Sequence, residues 1–192
     1  MQPQLSSPRE VSRRRRLRNS WRSSRKTLGK IVKDHTELKK IVRKLQEEGR
    51  IVVLTNGCFD LIHVGHVRYL RAAKTEGNVL IAALNDDESV RKFKGLSGPL
   101  TPEDERAEVV AAFEGVDYVT LFSEPSADAI LDLLRPDVHA KGTDYTPETV
   151  PERDTVLGYG GRIAIVGDPK MHSSSELLTR AAKKLKTDNE HA

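Results

Sequence analysis

Apolar residues along the chain fall into short continuous runs separated by stretches with helical spacing. Leu38, Ile41, Val42 and Leu45 recur on one helical face, and Gly49 follows as a stop. Ile51-Val52-Val53-Leu54-Thr55 reads as a buried strand ended by Asn56-Gly57, and Val67–Lys74 reads as a helix. Val79-Leu80-Ile81-Ala82-Ala83-Leu84 is a second strand, too continuously apolar for a sheet with one face in water. Thr101 stands as an N-cap before Pro102 and the acids Glu103 and Asp104, predicting a helix to about Phe113. Tyr118–Phe122 is strand-like, Ser126 caps a helix through Leu134, and Pro136 stops it. Val138-His139-Ala140 is a short strand leading into Lys141-Gly142, and Arg162–Val166 is the last strand. Ser173-Ser174-Ser175-Glu176 has the form of a cap opening a helix to about Lys186.

Strands alternating with helices imply an α/β fold. The expectation is a Rossmann-like, doubly wound parallel sheet of about five strands with helices on both faces. In such a sheet, ligands gather at the carboxyl ends of the strands, where the strand order reverses. Polar clusters at 56–66, 85–94, 141–144 and 172–175 all fall just after predicted strands, which argues for one site.

Charge divides the chain. Residues 1–30 hold ten Lys or Arg and one acid, Glu10, whereas the remaining residues hold 22 bases and 27 acids. The basic character therefore belongs to an arm over residues 1–29, which is Arg- and Ser-rich, without period, and expected to be disordered. The arm reads as a solvated tail or a start read too early, as a transit peptide, or as a binder of nucleic acid or anionic lipid. Trp21 is its one side chain able to stack on a base, so nucleic acid is not the expected partner. No run of 18 apolar residues suggests a membrane span, and no apolar segment follows Arg13–Arg16 as in a secretory signal. The single cysteine, Cys58, excludes an internal disulfide framework and suits a reducing cytoplasm.

The richest chemistry lies in Thr55-Asn56-Gly57-Cys58-Phe59-Asp60-Leu61-Ile62-His63-Val64-Gly65-His66, which joins a strand to a helix. Gly57 permits close approach of backbone to ligand. Free N–H groups at the helix start, with the helix dipole, favour phosphate. His63 and His66 are three apart, so both imidazoles can face the same way and stabilise a phosphoryl group in its transition state. A single His here would ordinarily be a local cap or a solvated side chain. The pair could ligate a metal, but no third ligand stands at metal-site spacing, so no protein-bound metal is expected.

This string resembles the phosphate-binding signature of the cytidylyltransferase-like nucleotidyltransferases. The resemblance continues through Lys94 in Lys92-Phe93-Lys94-Gly95, Arg106 in Glu105-Arg106, and Ser173-Ser174-Ser175, covering about residues 30–186. It marks residues 30–192 as a nucleotidyltransferase domain. Within that superfamily the chain is most similar to the heptose 1-phosphate adenylyltransferases in their stand-alone form, without a sugar kinase ahead. That similarity rests on 55–60, 63–70 and 92–95, Val116-Asp117-Tyr118-Val119, Lys141-Gly142-Thr143-Asp144-Tyr145 and Gly160-Gly161. Three departures bear on the substrate: Gly98 where the family tends to carry Arg, Pro151-Glu152 where it tends to have Gly, and His172 in place of the Gly before the closing hydroxyl run.

The resemblance implies catalytic roles for His63, His66 and Lys94. It implies nucleotide binding by Asn56, Gly57, Cys58, Phe59, Lys141, Gly142, Asp144, Ser173, Ser174 and Ser175. Asp60, Asn85, Asp86 and Arg106 are expected on the acceptor substrate, with an ion pair to Glu103 as the plainer reading of Arg106. Cys58 fits a small buried filler better than a nucleophile. The implied partners are ATP and a sugar 1-phosphate, D-glycero-β-D-manno-heptose 1-phosphate, in lipopolysaccharide precursor synthesis. The implied assembly is a homodimer. Mg²⁺ is expected on the nucleotide phosphates, with Asp60 as an indirect partner. One competing reading keeps the fold and uses CTP with glycerol 3-phosphate or another small alcohol phosphate. A reading of another class is a non-catalytic protein that binds nucleotide or nucleic acid.

Overall fold

The structure, a computed structural model, describes residues 28–94, 98–169 and 174–190, apart from the side chains at 93, 94, 175 and 185–190. Most of the basic arm lies outside these residues. Six strands form one parallel sheet: β1 (Lys30–Ile31), β2 (Val52–Gly57), β3 (Val79–Asn85), β4 (Tyr118–Phe122), β5 (Val138–Gly142) and β6 (Arg162–Val166). Their order is β1-β4-β3-β2-β5-β6. Helices connect them: α1 (His35–Glu47), α2 (Val64–Thr75), α3 (Asp87–Lys94), α4 (Glu103–Ala111), α5 (Asp128–Leu134), α6 (Arg153–Gly158) and α7 (Ser174–Glu190).

The continuous apolar runs follow from burial on both faces. Successive side chains of a strand point to opposite sides. Val53, Leu80, Ala82, Leu84, Val138 and Ala140 pack on one face with Leu70 and Ala73 of α2 and Ala107 and Val110 of α4. Val52, Leu54, Val79, Ile81 and Ala83 pack on the other with Leu38 and Val42 of α1, Leu131 and Leu134 of α5, and Val156 of α6. Strand order runs outward from β2 through β3 to β4 on one side, and through β5 to β6 on the other. The reversal falls between β2 and β5, so the carboxyl ends of those two strands bound the crevice where this topology collects ligands.

Several expectations need correction in detail. A sixth strand, β1, pairs Lys30 with Tyr118 and Ile31 with Val119; two residues carry no readable period. Thr101 does not cap α4. Its amide and hydroxyl both turn to Asp60, and Pro102 takes the cap position without a side-chain bond. Ala127 rather than Ser126 is the N-cap of α5, with the Ser126 hydroxyl donating to Asp128 instead. The segment after Asn85 is helical (α3), because the Asp86 carboxylate accepts from the Ser89 amide at 2.7 Å and caps it.

Candidate active site

The β2–α2 connection builds the site's centre. His63 is the N-cap of α2, and its Nδ1 accepts the Gly65 amide at 3.1 Å. The His66 Nδ1 accepts the His63 amide at 3.3 Å, closing a reciprocal cap made of two imidazoles. A ring nitrogen that accepts from an N–H carries no proton itself. In each neutral ring the proton therefore sits on Nε2, and the cap fixes both tautomers. The rings lie with centroids 4.0 Å apart, tilted by 33°, and line a cavity of about 760 Å³. Capping and a chemical role are thus not alternatives here: Nδ1 serves the backbone, and Nε2–H is the donor each ring can offer a ligand.

Phe59 holds this loop in shape. Its backbone takes a left-handed conformation with φ 47°, uncommon for a bulky residue. The buried ring lies 5.4 Å from that of His66. A Cβ on Gly57 would lie 3.2 Å from the same ring, so the glycine lets Phe59 fold back beneath the strand end.

The cavity spans the crevice between β2 and β5. Asn56, Gly57, Cys58, Phe59, His63, His66, Asn85, Lys141, Gly142, Asp144 and Ser174 all line it, so these expected residues converge from four separate segments. The Cys58 thiol donates to Asn85 Oδ1 at 3.8 Å. The first turn of α7 meets the same cavity through Ser174, giving a second helix N-terminus beside that of α2. The Ser174 hydroxyl donates to the Leu61 carbonyl at 2.9 Å, which ties α7 to the β2–α2 loop. Ser173 and the side chains of Ser175 and Lys94 lie outside the described residues, and Lys94 closes α3.

Three expected acceptor contacts are placed elsewhere. Arg106 is buried, and its guanidinium donates to the carbonyls of Thr101 (3.0 Å), Asn85 (2.9 Å) and Cys58, and to the Asp87 carboxylate (2.7 Å). It ties three loops around the site together and does not line the cavity. Its ion-pair partner is Asp87 rather than Glu103. Asp60 is buried too, and its Oδ1 accepts the amides of Leu100 (2.8 Å) and Thr101 (3.1 Å). Asp86 caps α3, as described above. These three carboxylate and guanidinium groups support the loops that carry the site.

A polar cluster beneath the cavity joins the expected Asn56 and Lys141 to His139 and Glu152, for which the sequence implies no role. Lys141 Nζ donates to Asn56 Oδ1 (3.2 Å) and Glu152 Oε1 (3.3 Å) and stands 4.9 Å above the Tyr145 ring. His139 Nε2 donates to the same Asn56 oxygen at 3.2 Å, leaving Nδ1 buried without a partner. Burial, reinforced by the Lys141 charge, pushes the His139 pKa down to about 3, so the ring is neutral. Tyr69 closes the floor, donating to the Ala140 carbonyl at 2.9 Å and meeting the Thr55 hydroxyl. Burial raises its pKa above the ordinary phenol value. Glu152 could have been found as an acid following a proline shortly after the Lys141 strand; His139 gave no signal beyond a polar residue inside a strand.

Fold and site together define a parallel α/β protein in which two helix N-termini, those of α2 and α7, meet at one cavity. The cytidylyltransferase-like family model matches residues 54–181, and the chain belongs to that family. It is 45% identical to the bifunctional protein HldE of Syntrophotalea carbinolica over 143 residues, which are 74% of this chain and 29% of that one. It is 47% identical to the bifunctional protein HldE of Geobacter metallireducens over 149 residues, 78% of this chain and 30% of that one. The chain thus spans about three-tenths of the length of these relatives. Among solved structures, the lipopolysaccharide core biosynthesis protein from Thermoplasma volcanium shares the fold, with a TM-score of 0.56 and 24% identity. That match covers 64% of this chain and all of the other. Pantoate-β-alanine ligase from Francisella tularensis also reaches a TM-score of 0.56, at 14% identity over 77% of this chain and 69% of that one.

Proposed function

We propose that the protein transfers AMP from ATP to a sugar 1-phosphate, D-glycero-β-D-manno-heptose 1-phosphate, giving ADP-heptose and pyrophosphate. The observation that carries the phosphoryl-transfer part is the double-imidazole cap: two rings with Nε2–H donors, at a helix N-terminus, on a cavity at the sheet's switch point. The choice of ATP and heptose is supported by the resemblance of the chain to heptose 1-phosphate adenylyltransferases and by the 40–47% identity to proteins called HldE.

In the proposed reaction, an oxygen of the acceptor phosphate attacks the α-phosphorus of ATP in line. The new O–P bond forms as the bond to the β-phosphate bridging oxygen breaks, and pyrophosphate leaves with that electron pair. The acceptor phosphate is largely ionised at neutral pH, with a second pKa of about 6, and needs no general base. Positioning and charge stabilisation are what the protein supplies. His63 and His66 donate from Nε2 to oxygens around the α- and β-phosphorus. Backbone N–H groups opening α2 and α7 add to that field. Lys94 neutralises charge growing on pyrophosphate.

Among the described residues no group of three or more His, Cys, Asp or Glu is gathered to hold a metal. Asp60 Oδ1, expected near Mg²⁺, is taken by two loop amides. These residues offer Mg²⁺ no cage, so no step here runs through it; as a companion of ATP its ligands would be phosphate oxygens and water. Among the described residues no helix is long and apolar enough to cross a membrane. A homodimer and a cytoplasmic setting belong to the proposal.

A pyrophosphate-release screen crossing ATP, CTP and GTP with heptose 1-phosphates and glycerol 3-phosphate tests this reading. Release with ATP and the heptose phosphate is expected. Release only with CTP and glycerol 3-phosphate overturns the substrates and keeps the mechanism.

A further inference from the structure

We infer that Glu152, held by Lys141, recognises a hydroxyl group of the acceptor, so that this buried pair selects a polyhydroxylated sugar phosphate over a small alcohol phosphate. The inference rests on the proposed adenylyl transfer to a sugar 1-phosphate.

The Glu152 side chain is 4% exposed yet lines the cavity. Its Oε1 accepts from Lys141, while Oε2, 3.2 Å from the same ammonium, accepts no hydrogen bond. The ammonium balances the charge of this oxygen, but a buried carboxylate oxygen without a directed hydrogen bond keeps part of its desolvation cost. Such a group in a cavity wall is stabilised when a ligand brings the missing donor.

The donor's chemistry follows from the charges. Lys141 and Glu152 neutralise each other, so together they offer little to a triphosphate, and the carboxylate repels one. Lys141 carries three N–H donors, and two hydrogen bonds, to Asn56 and Glu152, hold it in place. A hydroxyl is both donor and acceptor: it can give its proton to Glu152 Oε2 and receive one from Lys141 Nζ. A phosphate oxygen can do only the second. The aromatic rings of Tyr145 and Phe122 line the same cavity and suit the C–H faces of a sugar.

Position agrees with the chemistry. Glu152 is the N-cap of α6, whose Val156 packs on the sheet face with α1 and α5. The imidazoles open α2, whose Leu70 and Ala73 pack on the opposite face. The cavity spans the carboxyl ends of the central strands between them, so phosphates held on the histidine side leave the Glu152 side for the acceptor's hydroxylated body.

Glu152→Gln tests this. The amide keeps one oxygen for Lys141 and replaces the orphaned acceptor by an N–H donor at nearly equal volume. Steady-state kinetics should show KM for heptose 1-phosphate raised about tenfold or more, with KM for ATP within about twofold of wild type. Glu152→Asp should recover part of the acceptor affinity. Unchanged acceptor KM, or a rise confined to ATP, overturns the inference while the adenylyl transfer stands. Calorimetric binding of heptose 1-phosphate to wild type and Glu152→Gln, with ATP binding as the fold control, reads the same contact without turnover. If wild type binds the sugar phosphate but releases no pyrophosphate, the reaction is wrong and a weaker-binding variant still upholds the contact. If wild type and variant bind it equally, or neither binds it, the contact is wrong.

Discussion

Replacing Arg106 by Met should lower stability strongly, because the guanidinium is a structural tie. In the native protein it satisfies three carbonyls, from Cys58, Asn85 and Thr101, and pairs with Asp87. Methionine fills much of the volume but supplies no donor. Each buried carbonyl left unpaired costs about 1 kcal/mol, the low end of the usual range, because Cys58 and Asn85 lie on the cavity wall. The Asp87 side chain is 22% exposed and can rehydrate, which limits the ion-pair loss to about 1 kcal/mol. The sum is about 3–4 kcal/mol, a large share of a typical domain's stability of about 5–15 kcal/mol. With a urea m-value of about 2 kcal/mol per M, the midpoint should fall by about 1.5–2 M in equilibrium unfolding followed by circular dichroism. A shift under about 0.5 M, accompanied by a raised KM for the acceptor, would refute this reasoning and restore Arg106 as a substrate contact.

His66→Ala should reduce kcat by on the order of 100-fold or more, the scale for losing one transition-state donor, measured by pyrophosphate release. Loss of the Nδ1 cap should cost only about 1 kcal/mol in stability, and near-normal turnover contradicts the assigned role. Acid should destabilise the protein through His139, whose native pKa of about 3 lies below its unfolded value of 6.5. Below pH 6.5 the unfolded chain takes up a proton that the native ring refuses, so stability falls as pH falls. By pH 4.5 the wild type should lose on the order of 2–3 kcal/mol more than His139→Gln does; parallel stability curves for the two proteins would count against a neutral buried ring.

The readable parts of the fold were those where one physical effect dominates a long segment. Val52–Leu54 and Val79–Leu84 are apolar at every position because both sheet faces are covered, and that pattern needs no neighbour to interpret. β1 was invisible because two residues, Lys30 and Ile31, make a strand only through their partners Tyr118 and Val119. The site divides the same way. His63 and His66 are local in sequence and cap their own helix, so their spacing announced them. Arg106 stood among acids at the start of a helix, an unfavourable place for a cation, which correctly marked it as unusual. Its partners, however, come from three loops 5 to 48 residues away, so its burial could not be seen. Glu152 entered only as a departure from a family pattern, and its burial follows from pairing with Lys141 across the β5–α6 connection.

The central claim is that the bond broken lies between the α- and β-phosphorus of ATP and that AMP passes to the acceptor's phosphate. Incubating the protein with ATP labelled at the α-phosphorus and with heptose 1-phosphate, then separating the products, tests it directly. The account predicts that label appears in a sugar nucleotide in equal amount with unlabelled pyrophosphate. Label remaining in ADP or AMP, with none joined to the sugar phosphate, would contradict it.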